Sequence, residues 1–150
     1  MSSEDNTDSI YERAGGADGL HRVVAEFYAS IFEDPILTPV FGHPVETHVE
    51  HLCAFLGEVF GGPKRYTQEF GGFPAIVKVH RGRKITEPER ARFVELFLKA
   101  ADAQAMGADP RLREAVRSCI EFGSEIAMVN SNAQSDAELH AQREMPDWHW

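Results

Sequence analysis

Apolar residues recur along most of the chain at the spacing of amphipathic α-helices. In the clearest stretch they fall at i, i+3, i+4, i+7, i+8, i+11 and i+12, at Leu20, Val23, Val24, Phe27, Tyr28, Ile31 and Phe32. Asp34-Pro35 follows this stripe. Because proline has no amide hydrogen to donate, we predict that the first long helix ends there.

Signals at helix ends define three further long helices. Gly61-Gly62-Pro63 ends the second. Thr86 and Glu89 have capping-box spacing at the start of the third, and Asp109-Pro110 starts the fourth with a cap residue followed by proline. The predicted ranges are about 44–60, 86–107 and 109–130.

Two parts of the chain have weaker patterns. Residues 66–84 are interrupted by Gly71-Gly72 and Pro74, which leaves room only for a short helix around 75–80. From residue 131 the chain becomes polar and loses its period. We predict a short helical extension and a tail there, closed by Trp148 and Trp150.

Composition excludes several classes of partner. The 150 residues include 15 Lys and Arg and 24 Asp and Glu, so the formal net charge is −9 and a nucleic acid would be repelled. The longest basic stretch, Lys78 to Lys84, is too short and mixed to form a compensating patch. No apolar run approaches the roughly 20 residues that span a bilayer. The acidic N-terminus is unlike a signal peptide, and Cys53 and Cys119 suit buried thiols. We expect a cytoplasmic protein without membrane contact.

Two histidines and a tyrosine are the side chains that suggest chemistry. His48 stands in line with an apolar stripe on the second helix, His80 ends the short helix, and Tyr28 lies within the buried stripe of the first. A planar apolar cofactor carrying a metal would use one imidazole as axial ligand and the other groups as a polar corner opposite. On spacing alone, a core tyrosine and two half-exposed helix histidines explain the same residues.

A zinc site is a further candidate. His48 and His51 are three residues apart on one helical face, with Cys53 or His43 nearby. However, Val49 follows His48, so there is no HExxH motif, and no CxxC motif exists. The sequence also lacks a G-x-S-x-G elbow and a Gly-rich phosphate loop, so nucleophilic hydrolysis and nucleotide binding are not indicated.

A series of short segments follows a specific order: Tyr11-Glu12-Arg13-Ala14-Gly15-Gly16, Phe27-Tyr28, Asp34-Pro35 with Val40-Phe41, Phe55-Leu56, Gly61-Gly62-Pro63-Lys64-Arg65-Tyr66, His80 and Ile85. In order and spacing this series resembles truncated haemoglobins, most closely the second group of that family, apart from an extra residue around Gly71-Gly72. We therefore expect a disordered N-terminal arm at 1–9, a truncated globin domain at 10–130, and a C-terminal extension at 131–150. The resemblance implies an all-α, shortened globin fold: a two-over-two helical sandwich around haem b, with the first globin helix cut to a turn and the segment before His80 mostly loop.

The resemblance also implies roles for individual residues. His80 matches the proximal iron ligand, and Tyr28 matches the distal tyrosine that donates to bound dioxygen. Phe41 matches the aromatic residue that stacks on the porphyrin edge, while His48 falls at the distal-histidine position and precedes Leu52 on the distal wall. Further expected cofactor contacts are Phe55, Ile76, Arg83, Ile85 and Phe93.

This sequence departs from the family pattern at several positions. Phe93 stands where the second group usually has tryptophan, so the indole donor is missing. Arg83 replaces an aromatic residue and would instead reach a haem propionate, a role equally open to Lys78 and Arg81. The bulky His48 would gate ligand entry, bind iron itself or turn towards solvent.

The implied function is binding of O₂, NO and CO at ferrous iron. Firmly held oxygen favours redox use, such as nitric-oxide dioxygenation or peroxidase-like turnover, over bulk oxygen transport. An electron donor must then come from elsewhere, because the sequence has no flavin or NAD motif. A monomer or a homodimer fits this interpretation. The alternative is a cofactor-free helical interaction domain anchored by Trp148 and Trp150.

Overall fold

The structure is a computed structural model that describes residues 9–41, 45–80, 82–104, 106–133 and 148. Its α-helices are α1 Ile10–Arg13, α2 Gly16–Phe32, α3 Thr38–Phe41, α4 Val45–Val59, α5 Arg65–Phe70, α6 Gly72–His80, α7 Glu87–Ala103 and α8 Pro110–Ser131. A 3-10 turn, Met106–Ala108, joins α7 to α8. These ranges contain no β-strand, which confirms the all-α prediction. Most of the predicted N-terminal arm and of the tail lies outside the described residues.

The long helices end where the sequence signals predict. α2 stops at Phe32, just before Asp34-Pro35, and α4 stops at Val59, just before the glycines. The predicted capping box of α7 is present, since Thr86 Oγ1 accepts from the Glu89 amide at 3.4 Å and Glu89 Oε1 accepts from the Thr86 amide at 2.9 Å. α7 ends at Ala103, earlier than the predicted stop at Gly107, because the 3-10 turn takes over the connection.

The long helices pack as two pairs. α2 lies against α4, α7 lies against α8, and α2 also contacts α7, so the pairs form two layers. The apolar stripe of α2 lies in the core, where Val24, Phe27 and Ile31 are fully buried. Edge-to-face contacts join the Phe27 ring to Phe97 of α7 at 5.1 Å between centroids.

The prediction of a mostly loop segment before His80 is wrong. α5 and α6 occupy almost all of residues 65–80, with a reversal at Gly71 and Gly72, whose φ angles are +98° and +74°. Only glycine adopts this left-handed geometry without strain, so the pair turns the chain sharply between two helices. Burial of Tyr66 and Phe73 stabilises helices that are too short to form alone.

The first helix agrees with the expectation of a single turn. α1 is closed by a capping box between Ser9 and Glu12. Within the described ranges, no helix has the length and apolar character needed to cross a membrane.

Candidate cofactor site

An apolar cavity of about 480 Å³ lies among α2, α4, α6, α7 and α8. This volume is in the range of small-molecule and cofactor sites. The structure places every predicted site residue on its wall: Tyr28, Phe41, His48, Leu52, Phe55, Ile76, His80, Arg83, Ile85 and Phe93. Residues far apart in the sequence therefore meet around one space.

The wall formed by α8 was not predicted. It consists of one helical face with small residues among larger ones, namely Cys119, Ile120, Gly123, Ser124 and Ala127. These residues follow i, i+1, i+4, i+5, i+8 spacing, which places them on one face of a helix, and this pattern could have predicted the α8 wall from the sequence. A Cβ at Gly123 would meet nothing within 4 Å, so this helix leaves room for a bulky occupant.

One ring nitrogen of His80 is engaged with the protein, and the other is left free. Its Nδ1–H donates to the Ile76 carbonyl at 2.8 Å, and because a carbonyl only accepts, Nδ1 carries the proton. Burial lowers the pKa of His80, the Ile76 carbonyl raises it, and the Arg83 charge lowers it, with a net decrease. The ring is therefore neutral near pH 7, and its Nε2 lone pair is available to a metal.

Tyr28 places a hydroxyl in the otherwise apolar wall. The residue is 5% exposed, and among the described residues none accepts a hydrogen bond from this hydroxyl. Burial, followed by the nearby Cys53, raises the pKa of Tyr28 well above its ordinary value. The group is therefore a protonated donor at neutral pH without a protein acceptor in that part of the chain.

His48 is already engaged with the protein. Its Nε2 lies 3.0 Å from the Phe41 carbonyl, so Nε2 carries a proton and donates it there. The imidazole also stacks on Tyr28, with ring centroids 5.6 Å apart and planes at 22°. In this conformation His48 is half-buried at the cavity wall and does not turn out to solvent.

An aromatic corner stands where the family pattern has tryptophan. Phe93 of α7 stacks on Phe41 at 6.0 Å with an interplanar angle of 12°, and it meets Phe27 edge-to-face at 4.9 Å. This corner therefore supplies apolar surface and contains no hydrogen-bond donor.

The basic residues differ in their access to the cavity. Arg83 lies on the wall, whereas Lys78 is exposed and is not part of it. Arg81 lies outside the described residues. Arg90, which the sequence did not single out, is also on the wall, but its guanidinium is held by the Glu121 carbonyl at 2.7 Å and by Ser124 Oγ at 3.1 Å. Of these side chains, Arg83 best fits contact with an anionic edge of a cofactor.

The structure does not support the zinc alternative. Within the described residues, no group of three or more His, Cys, Asp or Glu side chains is placed to hold a metal ion. His51 instead packs its ring on Phe70 at 4.5 Å, and burial raises the pKa of the Cys53 thiol to about 11. A thiol at that pKa is not a thiolate ligand at neutral pH. His43 lies outside the described residues.

Comparison with known proteins identifies the family. The family model for bacterial-like globins matches residues 9–129. The chain is a bacterial-like globin. It is 37% identical over 81 residues to a group 1 truncated haemoglobin from Nostoc sp. (strain MUN 8820), which covers 53% of this chain and just 64% of that relative's length.

Longer matches agree with this assignment. The globin is 26% identical over 121 residues to a group 2 truncated haemoglobin from Bacillus subtilis (strain 168), covering 81% of this chain and 89% of the relative. The crystal structure of the haemoglobin from Chloroflexus aurantiacus matches with a TM-score of 0.73 and 29% identity, covering 81% of this chain and 98% of that chain. The predicted resemblance to truncated haemoglobins and the two-over-two fold are confirmed.

The residues present fit the cofactor of this family. Members of the bacterial-like globin family hold haem b, and it is the cofactor of this globin. The apolar cavity suits the porphyrin, His80 offers an unprotonated Nε2 to iron, and Tyr28 brings an unpartnered hydroxyl. The alternative of a cofactor-free interaction domain explains none of these features.

Proposed function

We propose that this globin binds dioxygen, and also NO and CO, and uses oxygen in redox chemistry rather than in bulk transport. Nitric-oxide dioxygenation or peroxidase-like turnover is the activity we expect. The single observation that carries the proposal is the hydroxyl of the buried residue Tyr28, a donor that is open to the cavity and whose hydrogen bond no described residue accepts.

Tyr28 supplies a hydrogen bond to the gaseous ligand. Haem b, when bound, would supply an iron that binds diatomic gases. The Tyr28 hydroxyl donates to a ligand oxygen that carries partial negative charge, a bond worth about 1.5–3 kcal/mol. Each 1.4 kcal/mol corresponds to about a factor of ten, most of it in the rate of release. Slow release favours a reaction over delivery.

His80 keeps the opposite side fixed. Its Nδ1–H bond to Ile76 sets which nitrogen is free and orients the ring along α6. Because desolvation, with the nearby Arg83 charge, lowers the pKa of His80, the imidazole remains neutral, so no proton competes for Nε2 near pH 7.

Dioxygenation of nitric oxide requires one external electron. One NO and one O₂ combine with one electron to give one nitrate ion, so the protein is left one electron more oxidised after each turnover. The chain has no flavin or NAD motif, which means that a separate donor must restore the ferrous state.

The decisive experiment measures oxygen release from the ferrous protein by stopped-flow mixing. We expect Tyr28→Phe to release oxygen about ten- to a hundred-fold faster than wild type, because it removes one charge-assisted hydrogen bond and keeps the ring. Tyr66→Phe is the matched control, since Tyr66 is also buried on the cavity wall, and should change the rate much less. An unchanged rate in Tyr28→Phe contradicts the proposal.

Mixing the ferrous protein in oxygenated buffer with nitric oxide separates the two activities. Stoichiometric nitrate with rapid oxidation of the haem supports dioxygenation. No nitrate, together with turnover of a reducing dye by hydrogen peroxide, would assign peroxidase-like chemistry instead.

A further inference from the structure

Ser131, the last residue of α8, holds the segment that follows His80. Its side chain is 0% exposed. Ser131 Oγ accepts from the Ile85 amide at 2.9 Å and donates to the Met128 carbonyl at 2.6 Å, while the Ser131 carbonyl accepts from the Lys84 amide at 3.0 Å. Two consecutive amides of the loop therefore end on one buried serine. The sequence assigned this residue only to the start of the tail.

The loop that Ser131 holds has an unfavourable backbone conformation. Lys84 has a φ of +55°, the sole positive value of a non-glycine residue in the described part of the chain, and Gly82 has a φ of +80°. A lysine in the left-handed region persists only where its surroundings hold it there. Hydrogen bonds from the Lys84 amide and from the next amide, both to Ser131, supply that restraint.

The same loop forms one edge of the cavity. His80 precedes it, and both Arg83 and Ile85 line the cavity. The Arg83 amide also donates to the His80 carbonyl at 3.2 Å, so the loop continues directly from the end of α6. Ile85 is therefore a few residues from the predicted iron ligand, along a loop that is hydrogen-bonded to the end of α6.

We propose that Ser131 is a positioning residue of the haem pocket. Its two hydrogen bonds fix residues 84 and 85, hold Ile85 against the cofactor and restrain the end of α6 that carries His80. This inference deepens the proposed function and rests on the same site, with haem held in the cavity.

The test measures haem release from the holoprotein to an excess of apomyoglobin, followed by absorbance. S131A leaves the half-buried Ile85 amide without its acceptor, and we expect about ten-fold faster release than wild type, a factor in the range for one unpaired amide. S131T keeps the hydroxyl and should restore slow release. Resonance Raman spectra of ferrous S131A should show a shifted or broadened iron–histidine band.

T86A is the matched control. It removes the Thr86 hydroxyl from the capping box of α7 and takes away no atom that hydrogen-bonds to Ser131. We expect T86A to lower the unfolding temperature while haem release and the iron–histidine band remain close to wild type. Equal acceleration of haem release in T86A and S131A would show a general loss of stability and overturn the proposal.

Hydrogen exchange of the wild-type holoprotein provides a test that needs no variant. The Lys84 and Ile85 amides should be protected as strongly as those in the last turn of α8. Exchange at the rate of an open loop overturns the inference. If the wild type binds haem but S131A releases it at the wild-type rate, the positioning role of Ser131 is wrong. The proposed function fails on a different result, namely rapid oxygen release that Tyr28→Phe does not change.

Discussion

His48 shows how one hydrogen bond limits what a side chain offers to a ligand. By sequence position it is the distal histidine, and a second donor to oxygen is expected there. In the structure its Nε2–H is committed to the Phe41 carbonyl, which ties α4 to the end of α3. The His48 ring stacks on Tyr28 and so lies beside the unpartnered hydroxyl. Because its own Nε2–H is engaged, it adds no second free donor to that of Tyr28.

This arrangement predicts unequal effects of the two distal substitutions. His48→Ala should change oxygen release by less than Tyr28→Phe does, because the ligand loses no donor in the conformation observed. It should instead loosen Phe41, seen as broadened NMR signals of that ring in the CO complex. If His48→Ala accelerates oxygen release as much as Tyr28→Phe, then His48 leaves the Phe41 carbonyl and donates to the ligand.

Asp34 carries a pH dependence of stability. Burial raises the pKa of its carboxyl, but hydrogen bonds from Arg92 and from the Leu37 and Ile36 amides, with the Arg92 charge, outweigh this and lower the pKa below its ordinary value. The folded pKa is thus below the unfolded pKa of about 3.9. The stabilisation is present above pH of about 4 and is lost as pH falls through the folded pKa.

Acid unfolding of wild type and Asp34→Asn measures this contribution. We expect Asp34→Asn to have a lower free energy of unfolding than wild type at pH 7. The difference between the two free energies should become smaller as the pH falls below about 4. Glu95→Gln is a suitable control, since Glu95 bonds the same Arg92 but is exposed. A difference between Asp34→Asn and wild type that stays constant down to the lowest pH would contradict the assignment.

At the scale of elements, the sequence predicted what local signals encode. α2, α4, α7 and α8 have periodic apolar faces and caps or breakers at their ends, so their existence and approximate bounds follow from the chain alone. α5 and α6 are too short to show a period, and burial against neighbouring helices stabilises them. The prediction of a mostly loop segment failed because Gly71 and Gly72 were interpreted as an interruption of helical structure rather than as one tight reversal between two helices.

The site divides in the same way. Tyr28, His48 and His80 were found because their residue types are unusual within apolar helical patterns. Ser131 was missed because its role depends on contacts with residues 84 and 85, which lie far away in sequence. The wall contributed by α8 was missed because small apolar residues carry no chemical signature.

The junction of α1 and α2 predicts a reversal of the usual glycine effect. Replacing a helical glycine by alanine normally stabilises by up to about 1 kcal/mol. At Gly19, however, a Cβ would lie 2.0 Å from the Ala14 carbonyl oxygen, a backbone atom that cannot move without displacing α1. We expect Gly19→Ala to lower the free energy of unfolding by about 1–3 kcal/mol in urea titrations.

Gly57→Ala is the control for this prediction. Gly57 is inside α4, and its added Cβ would meet Tyr11 at 3.4 Å and Leu20 at 3.9 Å, which are ordinary contacts. We expect the free energy of unfolding of Gly57→Ala to equal that of wild type or to exceed it by up to about 1 kcal/mol. Equal effects at the two glycines would mean that α1 does not dock as the structure shows.

At the scale of the whole molecule, Trp148 contacts a helix of each layer. Its backbone amide donates to the Val59 carbonyl at 2.8 Å. Val59 is the last residue of α4, where carbonyls have no amide donor within the helix. The Trp148 indole Nε1–H donates to Ser118 Oγ at 3.1 Å, and its ring lies 5.2 Å from Phe122, both on α8. Trp148 thus joins one helix from each pair.

This link predicts a measurable coupling between Trp148 and Ser118. Trp148→Phe keeps a ring over Phe122 but loses the indole donor, which should lower the free energy of unfolding by about 1 kcal/mol. Ser118→Ala removes the acceptor, so a double-mutant cycle should give an interaction energy of about 0.5–1 kcal/mol. Trp148→Ala should lower the free energy of unfolding by more than Trp148→Phe does, because it also loses the ring contact with Phe122. If all three variants unfold like wild type, Trp148 is not docked on α8.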